Sequence, residues 1–225
     1  MQFYLPILFA FIIAITHYSI NRLHNNCSRY HFEIISFSAG VSITYVLLDL
    51  FPNFTVAALS IHKLLFISLL LGFSAHHIIE KEIYQHKHRK KLVQDLSFQE
   101  EAFYFFDHLV LGFVLVSLFR QDIMGGMIAF LPILAFTIVS ALRIKHSTRI
   151  KTAIAASATA IGVLLSLALG AIPEWLQVSL TGLASGLLLY TVIRHHIPFG
   201  REGRPFYFGL GFVLYSLFII MTWYL

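Results

Sequence analysis

Long apolar stretches separated by short polar ones run along the whole chain, and this pattern predicts membrane-spanning helices. A helix needs about 19 or 20 apolar residues to cross the hydrocarbon core of a bilayer. Some stretches are joined by very short links, such as residues 120–121, so consecutive helices are expected to be antiparallel. The sequence therefore predicts an all-α integral membrane protein with one membrane domain over residues 1–225. Its eight spans are expected at about residues 3–20, 33–54, 61–80, 98–119, 122–142, 151–172, 174–194 and 205–225.

The composition agrees with this interpretation. Hydrophobic residues make up 58% of the chain and charged residues only 12%, whereas about a quarter of the residues in a soluble domain are charged. The first residues, MQFYLP, contain no Lys or Arg, so we expect a permanent first span rather than a cleavable signal. Cys27 is the only cysteine, which excludes an internal disulfide and a cysteine-based zinc site.

The basic residues indicate the orientation of the spans. All Lys and Arg residues except Lys63 and Arg120 fall in the four loops that join spans 1–2, 3–4, 5–6 and 7–8. The positive-inside rule places these loops in the cytoplasm and both termini outside, in a plasma (inner) membrane. The net charge of +5 then reflects topology and contact with anionic lipid, and nucleic-acid binding is not expected.

Spans 2 and 7 share a pattern of glycine and proline. Gly40 and Pro52 are separated by eleven residues, as are Gly186 and Pro198, in the similar segments ITYVLLDLFP and LYTVIRHHIP. The span that follows each of them carries Leu-Gly-Phe. Because spans 2 and 7 run in opposite directions, this predicts an inverted repeat of spans 1–3 and 6–8, which is typical of transporters.

Asp49 and His195 each stand three residues before one of these prolines, at opposite faces of the membrane. Proline is expected to end the helix there. Each polar residue is then either a cap at the membrane interface or a group at the mouth of a pathway, and the sequence leaves both interpretations open.

Three segments resemble the ZIP (Zrt/Irt-like) metal transporters. FSAGVSITYVLLDLFPNF, residues 37–54, is similar to the family's second span, FxAGVxLxxxxxHLLPE, with Asp49 and Asn53 at the positions of the histidine and the acid. GFSAHHIIEK resembles the third span, and TGLASGLLLYTVIRHHIP resembles the seventh, AGxxLYxxxxxxLP. The resemblance implies a ZIP-like eight-helix bundle, alternating-access transport of zinc, iron or manganese, and a possible homodimer.

The family's metal motifs are largely missing. Where spans four and five of the family carry H-N-x-x-D-G and H-E-x-P-[HE], this chain has FYFFDH and AFLPI, which keep only Asp107 and Pro132. Zinc needs three or four N, O or S ligands, and span 5 offers only Thr137 and Ser140 near its middle and inner part. The two-metal site that the resemblance implies cannot form here, so a metal is bound differently or not at all.

Asp107 and His108 are the first candidates for function. Counted from Ser97, the expected N-cap of span 4 in a capping box with Glu100, Asp107 lies about ten residues deep, or ~15 Å. A carboxylate at mid-bilayer costs about 2.5–3.5 kcal/mol, so we expect Asp107 to face the bundle interior with a partner. Glu100 and Tyr104 lie on the same helix face and extend this polar track. The alternative is a protonated Asp107 that hydrogen-bonds to a neighbouring helix.

Two further groups contain histidine. His76 and Glu80 are four residues apart on span 3 and share a helix face, so they either hold a cation near the cytoplasmic exit or are interfacial residues. His86 and His88, in the predicted basic loop 81–97, either handle metal transiently or belong to a solvated loop at the lipid surface. No resident cofactor is expected. The predicted metal ligands are Asp107, His108, Asp49, His76 and Glu80.

These patterns favour a transporter that moves a divalent cation, or another small solute, between two inverted halves. The alternative is a ZIP-like membrane protein without transport, with a scaffold or regulatory role. An enzyme is not predicted, because the chain has no G-x-S-x-G, no H-E-x-x-H and no motif with paired intramembrane aspartates.

Overall fold

A computed structural model describes residues 4–23, 30–86, 89–143, 148–197 and 203–224, and within these ranges every regular element is a helix. Eight helical segments are long and apolar enough to cross a membrane, which confirms the predicted multi-pass membrane protein. We number them as spans 1 to 8 in chain order. Their helices are Tyr4–Leu23 (span 1), His31–Tyr45, Val46–Leu50 and Phe51–Ile61 (span 2), Lys63–Leu65 and Phe66–His86 (span 3), Arg89–Gln121 (span 4), Ile123–Arg143 (span 5), Arg149–Leu169 (span 6), Glu174–Thr191 and Val192–His196 (span 7), and Pro205–Thr222 (span 8).

The sequence predicted that Pro52 ends the helix of span 2, and this prediction is wrong. A π-helical turn, Val46–Leu50, comes before it, and the helix continues to Ile61 with Pro52 in its first α-helical turn. Proline is tolerated at such a position because its missing N–H has no partner to lose there. The wider π turn changes the backbone hydrogen-bond spacing just before the proline, so the chain stays helical.

The predicted start of span 4 at Ser97 is also wrong. The helix begins at Arg89 and runs through Ser97 without a break, so the segment predicted as a basic loop is helical over residues 81–86 and 89–97. Its sequence, RKKLVQDLS, consists mostly of residues that are compatible with a helix, and the helix therefore extends beyond the apolar stretch. Asp107 still lies midway along the apolar part, Gln94–Gln121.

Spans 2 and 8 pack on each other, as do spans 3 and 7, while spans 1 and 4 contact each other and both contact spans 5 and 6. Glycines lie where spans 2 and 8, and spans 3 and 7, approach most closely. Gly40 faces span 8, which carries Gly211, and Gly72 faces span 7, which carries Gly186. A Cβ atom at any of these four positions would collide with the backbone of the facing helix. Small residues let membrane helices approach this closely, and van der Waals packing then holds them together.

A third close crossing joins spans 4 and 6 at Gly112 and Gly162, each of which meets the backbone of the other span. Span 4 is therefore packed against span 6, and it also contacts spans 1, 3, 5 and 7. We call the end of the bundle at which spans 1, 3, 5 and 7 finish the basic end, since the predicted basic loops lie there. Beyond Asp107, toward the opposite end, span 4 buries a large apolar cluster that includes Leu111, Leu115 and Phe119.

We expect Gly186→Leu to weaken the contact between spans 3 and 7, because its Cβ would lie 2.7 Å from the backbone nitrogen of Phe73. The free energy of unfolding in mixed micelles, measured by SDS titration, should fall by about 2–3 kcal/mol. Gly209→Ala is the matched control, since nothing lies within 4 Å of its Cβ position. Its stability should stay within about 1 kcal/mol of the parent protein. Equal losses in both variants would show that the crossing is not tightly packed.

Candidate functional site

Asp107 faces the interior of the bundle and links three spans. Its side chain is 2% exposed, and its Oδ1 lies 3.2 Å from Nε2 of His76 on span 3. This distance is that of an ion pair, although the angles do not meet those of a hydrogen bond. On the other side, the hydroxyl of Thr191 on span 7 donates to Oδ2 at 3.4 Å. The buried carboxylate therefore has polar partners on spans 3 and 7.

His108 turns away from Asp107 and binds span 5. Its Nδ1 donates to the carbonyl oxygen of Tyr104 at 3.0 Å, and its Nε2 lies 2.9 Å from the hydroxyl of Thr137. A carbonyl oxygen only accepts, so Nδ1 carries a proton. The Thr137 hydroxyl also lies 2.7 Å from the carbonyl oxygen of Ile133, and its single hydrogen serves either that oxygen or Nε2. Both ring nitrogens of this fully buried histidine are therefore occupied. The structure does not bring Asp107 and His108 together as one site.

The ring of His108 belongs to an aromatic column that the sequence reasoning missed. The Tyr104 ring stacks on it with centroids 3.9 Å apart, and the His17 ring lies 4.5 Å from Tyr104 on the far side. Phe136 of span 5 lies between His108 and His196. A histidine within the apolar first span was the available signal for His17, because such residues face the bundle interior.

Glu80 carries the tightest polar contacts between spans 3 and 7. Arg194 donates from Nε and Nη2 to the Oε1 atom, at 2.9 and 2.7 Å, and Tyr190 donates to Oε2 at 2.6 Å. Nε2 of His195 lies 3.5 Å from Oε2. The carboxylate is therefore neutralised by an arginine of its own chain. From the sequence, Arg194 indicates only topology, because the partner of a charge cannot be identified from its position along the chain.

A second charged pair, Arg143 and Glu100, is looser. Nη2 of Arg143 lies 3.6 Å from Oε1 of Glu100. The same guanidinium donates to the backbone oxygen of His195 at 2.5 Å, and its Nη2 lies 3.3 Å from Nδ1 of that ring. These contacts connect spans 4, 5 and 7 at the basic end.

Two neighbouring cavities lie between the basic end and Asp107. The larger one, about 340 Å³, is lined by Glu80, Arg194 and Tyr84 among others. The smaller one, about 40 Å³, is lined by His76, Asp107 and Thr191, and has room for a few water molecules. Glu100, Arg143 and His195 line both cavities. We call these two cavities, with the polar side chains that line them, the polar route; it extends from the basic end to the middle of the bundle.

Asp49 lies in the half of span 2 away from the basic end and takes no part in this route. It accepts a hydrogen bond from Nδ2 of Asn53 at 3.2 Å. Both residues line a separate cavity of about 50 Å³ with Gln121, Gln177 and Thr181. The position of Asp49 is compatible with an interfacial cap and with the mouth of a pathway on the opposite side.

The five predicted metal ligands do not form one cluster. Asp107 and His76 meet, Glu80 is held by Arg194, His108 is bonded to Thr137, and Asp49 lies in another cavity. In the part of the chain that the structure describes, no group of three or more His, Cys, Asp or Glu side chains is placed to hold a metal ion. The side chains of His86 and His88 lie outside the described residues.

Comparisons with known proteins add no assignment: no family model matches the chain, and no curated protein matches it.

We expect Thr137→Val to destabilise the protein, because it keeps the shape of the side chain but removes the hydroxyl that His108 Nε2 needs. A buried nitrogen left without a partner costs about 1–3 kcal/mol, measured as the loss in free energy of unfolding in mixed micelles. Thr159→Val is the control: this threonine is equally buried, and its hydroxyl has no hydrogen-bond partner among the described residues. It should be neutral or slightly stabilising. An unchanged free energy of unfolding in Thr137→Val would show that this hydrogen bond does not stabilise the protein.

Proposed function

We propose that this chain is a transporter for a small cation, which it binds at the His76–Asp107 pair in the middle of the membrane. The observation that carries the proposal is the polar route from the basic end to this pair, which ends in a cavity of about 40 Å³. Intramembrane ionisable residues that line a water-accessible cavity typically mark a transport pathway. The apolar cluster beyond Asp107 closes the other half of the bundle. The arrangement corresponds to a state open to one side.

The distribution of charge along the route supports a cation as the cargo. Glu80 and Glu100 near the entrance each face an arginine. Asp107 has no Lys or Arg partner among the residues that the structure describes, only His76 and Thr191. The carboxylate of the route that does not face an arginine is therefore Asp107, at its inner end. One carboxylate oxygen, one imidazole nitrogen and one hydroxyl, completed by water, are ligands that a small cation accepts.

An inverted repeat is the second part of the proposal, and two features support it. Gly40 on span 2 faces span 8, and Gly186 on span 7 faces span 3, so the corresponding glycines make corresponding contacts. The π-helical turns Val46–Leu50 and Val192–His196 each begin six residues after these glycines. Single π-helical turns are rare in proteins, and those that occur often lie at functional sites. Two halves related in this way would alternate between access from the basic end and access from the opposite end.

The ZIP-like bundle, the divalent cargo and the orientation belong to the same proposal. The resemblance of spans 2, 3 and 7 favours zinc, iron or manganese as the cargo. The basic loops favour a plasma (inner) membrane with the basic end in the cytoplasm and both termini outside, and a lipid bilayer as partner. A homodimer is proposed from the resemblance alone.

A membrane scaffold without transport is the alternative, and the pairing of Glu80 with Arg194 favours it. Two unit charges ~4 Å apart interact by about 4 kcal/mol at an effective dielectric constant of ~20, so Arg194 cancels roughly 8 kcal/mol of attraction for a divalent ion at Glu80. An entrance neutralised in this way attracts cations weakly. The scaffold interpretation predicts that water does not reach Asp107 and that Asp107 is needed only for folding.

Water access to the smaller cavity can be measured with cysteines, after Cys27 is replaced by serine. Ser140 lines that cavity, and Ser117 lies in the opposite half of the bundle, and both are 7% exposed. The folded protein is first treated with Ag⁺ in chloride-free detergent buffer and is then unfolded and labelled with a maleimide. We expect Ag⁺ to react with the thiol of Ser140→Cys and so to prevent its labelling. Ser117→Cys should remain available for labelling. Equal reaction at both sites, or none at Ser140→Cys, would contradict the proposed route.

Cation transport is tested by uptake of radioactive zinc, iron and manganese into cells that do or do not produce the protein. We expect at least one of these ions to enter faster with the protein, and Asp107→Asn to abolish the increase. Asp122→Asn is the matched control, because Asp122 lies at the opposite end and its carboxylate accepts a hydrogen bond from the Gly125 backbone N–H, at 3.0 Å. Uptake that is the same with and without the protein would exclude these metals as cargo.

A further inference from the structure

Glu80 has the surroundings of a bound-cation site. Its carboxylate side chain is 4% exposed in the wall of the larger cavity, yet both of its oxygens are occupied. Arg194 donates two bonds to Oε1, while Tyr190 donates to Oε2 and His195 lies 3.5 Å from the same atom. The Tyr190 phenol oxygen and the His195 imidazole nitrogen therefore lie beside Oε2, while the guanidinium of Arg194 lies at Oε1. Oxygen and imidazole ligands of this kind are also used by manganese and zinc.

The cation paired with the Glu80 carboxylate is the guanidinium of Arg194. The guanidinium of arginine is planar and always charged, and it is covalently attached to the chain. It therefore stays beside the carboxylate, whereas a free ion can leave the cavity. The alternative, an unpaired carboxylate inside the bundle, would be costly and would attract any cation that entered the cavity. The equivalent position in span 2, eight residues after Gly40, is Leu48, so the charge belongs to one half of the proposed repeat only.

We propose that Glu80, Tyr190 and His195 form a second cation site at the mouth of the route, and that Arg194 fills it. Arg194 then determines which ions the entrance retains: it excludes a divalent cation from Glu80 and leaves Asp107 as the first carboxylate without an arginine. This inference deepens the proposed function, but it concerns binding at Glu80 and can be tested without any transport.

The test is Mn²⁺ binding to the purified, untagged protein, followed by the EPR signal of the free ion. Arg194→Gln removes the charge and keeps a donor for Glu80. We expect this variant to bind one Mn²⁺ per chain more than the parent protein, or to bind it at least ~10-fold more tightly. The gain should vanish in Glu80→Gln/Arg194→Gln and persist in Asp107→Asn/Arg194→Gln. A gain that persists without Glu80, or no gain in a folded Arg194→Gln, would overturn the proposal.

Arg204→Gln is the matched control, because Arg204 is also an arginine at the basic end and lies 3.5 Å from Oε1 of Glu33. It should bind no more Mn²⁺ than the parent protein, since its side chain is 60% exposed and does not fill an enclosed site. An equal gain in Arg204→Gln would mean that removal of any positive charge is enough, and the assignment to Glu80 would fail.

The parent protein provides a test that does not depend on the folding of Arg194→Gln. If Arg194 fills the site, Glu80→Gln binds as much Mn²⁺ as the parent protein does. A loss of one equivalent on Glu80→Gln alone would show that the ion already reaches Glu80, and would overturn the inference. Whether the single variant Asp107→Asn loses Mn²⁺ binding tests the proposed cation site at Asp107, not the inference about Glu80. The two proposals therefore fail through different variants.

Discussion

A carboxylate inside a membrane must be paired, and the architecture of this chain follows from that requirement. Asp107 lies at mid-span, where an ionised acid facing lipid costs a few kcal/mol, and its partners come from spans 3 and 7. Glu80 meets the same need through Arg194 and Tyr190 of span 7. Spans 3, 4 and 7 are thus joined by polar contacts whose loss would leave a charge without a partner.

Close backbone packing makes these contacts possible. Gly72 and Gly186 bring spans 3 and 7 together, and Gly112 and Gly162 bring span 4 onto span 6. Because spans 3 and 7 lie close together, the His76 ring and the Thr191 hydroxyl both reach the carboxylate of Asp107 on span 4. The same packing fills the half of the bundle beyond Asp107 with apolar side chains. The result is a polar half at the basic end and a largely apolar half beyond Asp107.

The arginines give the polar half its chemical character. Arg194 and Arg143 neutralise or face the two glutamates near the basic end, and both lie in the wall of the larger cavity. In the ZIP-like interpretation this region would attract metal ions, whereas here two guanidinium groups already provide positive charge. In the proposed function, a cation on its way to Asp107 would pass an entrance whose carboxylates already face arginines.

The sequence by itself determined the number of spans, their helical nature and the burial of Asp107, since hydropathy and the cost of a charge in lipid act on each segment separately. It did not determine where helices end: Pro52 follows a π turn and the helix continues, and span 4 begins eight residues before Ser97. Only the tertiary structure decided that His76, and not its sequence neighbour His108, faces Asp107. Adjacent residues on a helix point about 100° apart, so the partner of each depends on which neighbouring span packs against that face. The role of Arg194 was decided in the same way, by the approach of span 7 to span 3.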